Sequence, residues 1–321
     1  MLRPGRHESG PTRRPRPGRA RRNDENALTN TPLAPILGAM SKTFAPPRQV
    51  ANGVVVIDTG YDRPGCAAAY LVRGKTGAAF VETCTGHSVP RLLEALPVAG
   101  LRREDITHVI PTHVHLDHAG GVGGLMRELP RATLVVHPRG AKHMIDPSKL
   151  IAGAAEVYGG LENMERYFGK LLPVPKERVV EAPEGFSVDL GDRKLEMWDA
   201  PGHAQHHFVV FDHGTRGLFT GDTFGLCYRE LDNAQGPFIF PTTTPVQFDP
   251  PALHASVRRM VAAKPEHIFF THFGMVAWAD VIQRLGAELD RRIDGHVALA
   301  EKAKGASDRH AALRRASSSN S

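Results

Sequence analysis

Residues 112–121 read THVHLDHAGG and place His113, His115, Asp117 and His118 within six positions, directly after an apolar run. Imidazole and carboxylate both ligate divalent metal ions, and this mixture suits zinc, iron or manganese. His113 and His115 are two residues apart, so in an extended segment they point to one side and can grip one ion. Asp117 and His118 follow at a bend and can turn toward a second. The lack of a cysteine in this stretch argues against a closed structural zinc site. One loop does not carry enough donors for two ions, but three more occur downstream, each just past a short apolar run. They are His203 in Pro201-Gly202-His203, Asp222 in Thr220-Gly221-Asp222, and His272 in Thr271-His272. Singly, a Gly-His or Gly-Asp pair after a strand is an ordinary turn. In order, and together with the first loop, the three complete a metal-binding constellation.

Donors of this kind must be held by rigid elements. Short β-branched or apolar runs predict strands over 54–58, 68–72, 78–82, 107–110, 133–137, 194–198, 208–211, 217–219 and 267–270. Helical spacing appears over 88–96, 121–129, 138–145, 161–171, 251–263 and 276 to about 303. Strand 107–110 ends at Pro111 and helical signals resume only after Gly120-Gly121. The first donors are therefore expected on a loop at a strand's C-terminal end, where a scaffold presents chemistry. Strands arrive both in hairpin succession and with helices between, without an internal repeat, which predicts an α/β fold of mixed sheets covered by helices. No Pro/Gly/Ser linker divides 46–305, so one domain is expected there.

The chain has 321 residues, 41% of them hydrophobic, enough for a sizeable core. Its formal charge is +6, yet residues 1–22 alone contribute +7 through eight arginines against Glu8. The remainder sums to −1, so the body offers no electrostatic footprint for nucleic acid. Residues 1–45 are rich in Arg and Pro and poor in periodic apolar positions, and read as a disordered extension; the polar, Ser-rich stretch 306–321 reads as a second disordered tail. No apolar h-region follows Arg21-Arg22, so a secretory signal is not indicated, which leaves a transit peptide or a nucleic-acid arm as readings of the extension. Met40-Ser41-Lys42 is a further candidate for the natural start. No run approaches 18 apolar residues, so no membrane association is expected. Cys66, Cys84 and Cys227 have no CxxC spacing and suggest a reducing, cytoplasmic setting.

Across 54–272, the HxHxDH loop with His203, Asp222 and His272 resembles the metallo-β-lactamase-fold metallo-hydrolase superfamily. The resemblance implies a four-layer αββα sandwich with a metal site along one edge of two sheets. It implies that His113, His115 and His203 hold a first ion, that Asp117, His118 and His272 hold a second, and that Asp222 bridges them. Two divalent ions are implied, zinc first, with iron or manganese as alternatives. A bridging hydroxide would be the nucleophile, with Asp117 orienting the water and passing a proton to the leaving group. True β-lactamases of the superfamily usually lack the bridging aspartate, so Asp222 points to the glyoxalase-II-like and lactonase-like branch. The segment Phe219-Thr220-Gly221-Asp222-Thr223 resembles the bridging segment of the former. Lactonases place a tyrosine near that aspartate; Tyr228, six residues on, is the candidate here for donation to a developing oxyanion.

The expected activity is hydrolysis of a small ester, thioester or lactone, on a small-molecule substrate, with a homodimer as one assembly. The alternatives are a redox protein using iron in the same ligands with a flavin partner, or a phosphodiesterase-type hydrolase. Members carry an early Asp-Thr-Gly that Ile57-Asp58-Thr59-Gly60 resembles. However, Glu82 in AAFVETCTG lies closer to the metal loop and is expected to be the supporting carboxylate, with Asp58 a decoy. His206 and His207 are candidates for lining the pocket, and Cys227 is expected to be buried and inert. Phe238, Phe240 and Phe248, among prolines, are expected to roof an acyl pocket or to pack, and 161–171 to form a lid or a dimer surface.

Overall fold

The computed structural model describes residues 44–243 and 246–304, and beyond them Ala306, Asp308, Arg309 and Ala311. The expectations for residues 1–43, including a start at Met40, and for most of 306–321 lie outside the described residues. Lys42–Ser321 forms one compact unit.

Two sheets share the work of positioning the site. The first contains β1 (Arg48–Ala51), β2 (Val54–Asp58), β3 (Ala68–Arg73), β4 (Ala78–Val81), β5 (Ile106–Ile110), β6 (Thr133–Val136) and β7 (Val179–Glu181), paired in that order. β1 to β4 run antiparallel, and β4 to β7 parallel. The second contains β8 (Ser187–Asp189), β9 (Lys194–Asp199), β10 (Phe208–Asp212), β11 (Gly217–Phe219), β12 (His267–Phe270) and β13 (Gly274–Ala277) in the reverse spatial order. Within it only β11 and β12 run parallel. The helices are α1 (Val89–Val98), α2 (Leu116–Ala119), α3 (Val122–Glu128), α4 (Pro138–Ile145), α5 (Ser148–Tyr158), α6 (Leu161–Phe168), α7 (Pro250–Ala262) and α8 (Ala279–Ala303).

The layering follows from the two-residue period of strands whose faces are both buried. On β3, Tyr70 and Val72 face the space between the sheets, while Ala69 and Leu71 face α1 and α3. On β10, Phe208 and Val210 point between the sheets, while Val209 and Phe211 pack toward α7 and α8. Three apolar layers result: helix on sheet, sheet on sheet, and sheet on helix. This is the expected αββα sandwich. Among the described residues no helix is long and apolar enough to cross a membrane.

Several boundaries differ from the sequence reading for identifiable reasons. The first donor loop contains the short helix α2, so Asp117 and His118 are helical rather than on a plain loop. The long final helix begins at Ala279 and not at 276, because Gly274–Ala277 folds back as β13 against β12, pairing Ala277 with His267. There, strand pairing outweighs helical spacing. The helix expected over 161–171 stops at Phe168, where Gly169 takes a positive φ of 73°. β4 ends at Val81, because Glu82 has a φ of 68° and leaves the sheet. β1, β7, β8 and α5 were not signalled. The first three are three or four residues long, and α5 buries none of its residues, so no amphipathic pattern marks it.

Candidate metal centre

Each expected donor sits just past the C-terminal end of a strand. β5 leads to His113 and His115, β9 to His203, β11 to Asp222 and β12 to His272, so both sheets deliver donors to one edge. His113 Nε2 lies 2.9 Å from His115 Nδ1, which in turn lies 3.0 Å from His203 Nε2. Two nitrogens bound at about 2.0–2.1 Å to one tetrahedral ion would be about 3.3 Å apart, close to this spacing. These three side chains form a group able to hold one cation, which we call cradle one. Asp117, His118 and His272 form another, cradle two, with Asp117 Oδ2 lying 3.6 Å from His118 Nε2 and 3.5 Å from His272 Nε2.

Asp222 stands between them. Its Oδ1 is 3.2 Å from His118 Nε2 and 3.5 Å from His272 Nε2, while its Oδ2 is 3.4 Å from His203 Nε2. His118 Nε2 and Asp222 Oδ1 are both buried and, despite their proximity, neither has an aligned hydrogen-bond partner. Buried polar atoms are ordinarily satisfied, so this pair of unsatisfied ligand atoms facing a common space fits a divalent cation. Gly221, with φ of 48°, makes the approach possible: a Cβ there would lie 2.3 Å from Thr112 Oγ1 and 2.5 Å from His207 Nε2.

The donors are oriented from behind. Glu82 accepts from Thr112 N (3.1 Å), Thr112 Oγ1 (2.6 Å), Thr271 Oγ1 (3.0 Å) and His118 Nδ1 (3.0 Å). A group of Glu82, His113 and His118 also has ligand-like spacing, but Glu82's oxygens are already occupied by these four donors. The single hydroxyl proton of Thr112 goes to Glu82, so His113 Nδ1 must donate to Thr112 Oγ1 at 3.1 Å. His113 Nε2 is thereby left as a bare lone pair. His272 Nδ1 donates to the carbonyl of Cys66 at 2.8 Å, leaving its Nε2 to face Asp117 and Asp222. His207 fixes Asp222 through the backbone. Thr223 Oγ1 donates to Ala200 O (2.9 Å), His207 Nδ1 donates to Thr223 Oγ1 (3.1 Å), and His207 Nε2 accepts from Asp222 N (3.2 Å).

Burial holds His113 and His207 well below the usual histidine range, and pushes His115 and His203 down to about 4. In cradle two burial acts in the same direction but is overcome. Asp222, Asp117 and Glu82 raise His118, and contact with Asp117 and Asp222 pushes His272 up to about 10. Burial likewise opposes charge on Asp117 and Asp222, yet His118 and its neighbours hold both carboxyls below their usual range. Asp117 keeps 28% of its side chain exposed, so the cluster opens to solvent on its side.

The sequence profile of the Metallo-beta-lactamase superfamily matches residues 49–272, a span that includes all seven donors. The chain belongs to this superfamily. The metallo-beta-lactamase fold-containing protein ST1585 of Sulfurisphaera tokodaii is 28% identical over 177 residues, 54% of this chain and 63% of that protein. The crystal structure of ST1585 matches with a TM-score of 0.60 at 23% identity, over 74% of this chain and 85% of that one. The type A flavoprotein fprA of Rhodobacter capsulatus is 28% identical over 54% of this chain and 35% of its own length. A hydroxyacylglutathione hydrolase of Aeromonas hydrophila is 24% identical over 63% of this chain and 58% of its own. The chain thus spans between a third and two thirds of these relatives.

The other candidate residues fall into place around this superfamily edge. Glu82, as described, underlies both cradles, whereas the carboxylate of Asp58 accepts from Gly60 N and Gly65 N and shapes the β2–β3 loop. Tyr228 Oη lies 3.5 Å from His272 Nδ1, and burial raises its pKa, so it stays a protonated donor beside cradle two. His206 and His207 part ways: His207 is fully committed beneath Asp222, while the half-buried His206 ring stands 5.3 Å from His115 with its Nδ1 unsatisfied. Cys227 is buried as expected, and burial pushes its thiol up to about 11, which keeps it protonated at neutral pH. Of the three phenylalanines, Phe238 lies under Arg292, Phe248 packs on the layer toward α7, and Phe240 flanks Tyr228 at 6.0 Å. Thr112, Thr271 and the Cys66 carbonyl went unnoticed in sequence, although the repeated Thr-His dipeptides at 112–113 and 271–272 carried a signal for the first two.

Proposed function

We propose that this protein is a dinuclear metal-dependent hydrolase of a small ester, thioester or lactone. The observation that carries the reading is Asp222, whose two oxygens are divided between the cradles as a bridging carboxylate requires. His113, His115 and His203 would hold one divalent ion, and Asp117, His118 and His272 the other, with zinc first by ligand chemistry and iron or manganese next. Bound there, two such ions supply Lewis acidity and an acidified water at neutral pH. The chain's own residues do the rest. Asp117, part exposed and held ionised, orients the incoming water, accepts its proton and returns it to the leaving oxygen or sulfur. Tyr228 presents a protonated hydroxyl at the rim for the oxygen of the acyl group. Glu82, Thr112, Thr271 and His207 keep the donors from rotating away. Hydrolysis then breaks the acyl–oxygen or acyl–sulfur bond, forms an acid and releases an alcohol or thiol.

Similarity to hydroxyacylglutathione hydrolases supports the acyl-transfer class. Similarity to a type A flavoprotein favours a second reading, in which the same donors hold iron for a redox reaction with a flavin partner. A metal analysis of purified protein, followed by a screen of thioester, lactone and phosphodiester substrates, tests both. Two equivalents of zinc with turnover of an acyl substrate support the first reading. Iron with no acyl hydrolysis supports the second, and less than one equivalent of any metal overturns both. A cytoplasmic setting is part of the proposal and rests on three unpaired, buried thiols.

A further inference from the structure

Two arginines flank the metal centre, and their circumstances differ. On the cradle-two side, Arg63 lies over the Tyr228 ring at 4.7 Å and is paired with Glu230 at 2.5 Å. On the cradle-one side, Arg139 is exposed in the first turn of α4 and, among the described residues, has no carboxylate within ion-pair reach. It is nevertheless held. Arg139 Nη1 donates to Gln205 Oε1 at 3.1 Å, and the backbone N–H of Gln205 donates to Gln247 Oε1 at 2.9 Å. Nε and Nη2 of Arg139 are left without a partner among the described residues, and their N–H groups form the planar fork that accepts a carboxylate side-on.

Direct contacts join this arginine to cradle one. Its partner Gln205 lies two residues after the donor His203 and immediately before His206. The His206 ring stands perpendicular to His115 at 5.3 Å and parallel to His113 at 6.1 Å. The segment 203–206 therefore runs from a metal donor, past the residue that grips Arg139, to a half-buried ring beside two further donors. This flank is also basic. Lys142 and His143 follow Arg139 by three and four residues and share its side of α4. The acid on this flank, Asp199, is engaged by His137 at 3.4 Å. Burial pushes His206 down to about 4, so His206 is neutral at neutral pH and the charge offered to a ligand is that of α4.

We propose that Arg139, positioned by Gln205, binds a carboxylate at the far end of the substrate's acyl arm, making the substrates carboxyacyl esters or thioesters. This rests on the hydrolase reading and narrows its substrate class. There, Asp117 of cradle two returns a proton to the leaving oxygen or sulfur, which sets the leaving group on the cradle-two side. The acyl arm then extends over cradle one toward His206 and Arg139. A single guanidinium fork matches one carboxylate in charge and in shape, and Arg63 cannot compete for it while Glu230 neutralises it.

The test uses metal-loaded full-length protein and two p-nitrophenyl esters of equal acyl length, the half-ester of adipate and the hexanoate. The adipate half-ester is expected to be preferred in kcat/KM by about 10- to 100-fold, the size of one charge-assisted hydrogen-bonded pair. Arg139→Gln, at an exposed position that leaves the cores intact, is expected to lower that ratio at least tenfold, chiefly through KM. Arg139→Lys is expected to restore part of it. Calorimetric binding of adipate against hexanoate gives a readout without turnover, and the preference for adipate is expected in the parent and not in Arg139→Gln. A parent that favours neither ester nor either acid overturns the proposal. So does an adipate preference that survives Arg139→Gln, which assigns the second carboxylate to the metal ions or to another cation. An equal loss for both esters in that variant, unrelieved by lysine, also overturns it, because a purely structural role has that effect. An adipate preference in binding that Arg139→Gln abolishes, without turnover of any ester, supports the carboxylate site while removing the hydrolase reading.

Discussion

Cradle one and cradle two lie side by side and solve the same problem in opposite ways. In cradle one, three buried imidazoles crowd together and burial keeps them neutral, with His115 and His203 down to about 4. In cradle two, carboxylates share the space with His118 and His272, and His272 is pushed up to about 10. Without a cation, cradle two compensates its charge with protons, whereas cradle one needs none. The difference teaches that an ion entering cradle two would have to displace protons, whereas one entering cradle one would meet ready lone pairs.

The largest expected effect comes from emptying either half. His115→Ala and His272→Ala are each expected to lower hydrolysis by more than the roughly 100-fold that losing an outer orienting partner typically costs. Metal content should fall from two equivalents toward one in both; equal loss of both ions from each variant would show that the cradles do not bind separately. Glu82→Ala should weaken both at once, lowering metal affinity or activity by about 10- to 100-fold, because Glu82 holds His118 of cradle two directly and His113 of cradle one through Thr112. An effect confined to one ion would show that Thr112 does not transmit it.

The contrast also has a pH signature in chelator-treated protein. A buried neutral histidine whose folded pKa is about 4, against roughly 6.5 unfolded, contributes stability present above 6.5 and lost as pH falls toward 4. A histidine raised to about 10 contributes stability present below 6.5 and lost as pH rises through 10. Thermal unfolding should therefore peak near pH 6.5, and added zinc should flatten the alkaline limb, where an ion replaces the protons. A metal-free profile flat from pH 5 to 9 would contradict the assignment. The smallest effect is expected at Tyr228→Phe, below about 100-fold in kcat; a larger loss would make this hydroxyl the principal oxyanion donor rather than a rim contact of His272.

Much of this was legible in the chain. Strand-end position and residue type singled out His113, His115, Asp117, His118, His203, Asp222 and His272, and the structure gathers all seven at one edge. Glu82 could be preferred over Asp58 because it follows the strand next to the metal loop. Less legible were elements whose identity depends on partners. Gly274–Ala277 is a strand only because β12 lies beside it, and α2 forms within a loop too short to show periodicity. His206 and His207 are adjacent and identical in type, yet only the fold commits one to Asp222 and leaves the other half-buried.

The sequence by itself determined which atoms can bind metal, since ligand chemistry belongs to the side chain and strand-end spacing is local. Tertiary structure alone decided how they are shared. The split of Asp222 between two cradles and the tautomer forced on His113 through Thr112 and Glu82 both join residues far apart in the chain. Such arrangements are set by the packing of two sheets against each other, which no short stretch of sequence encodes.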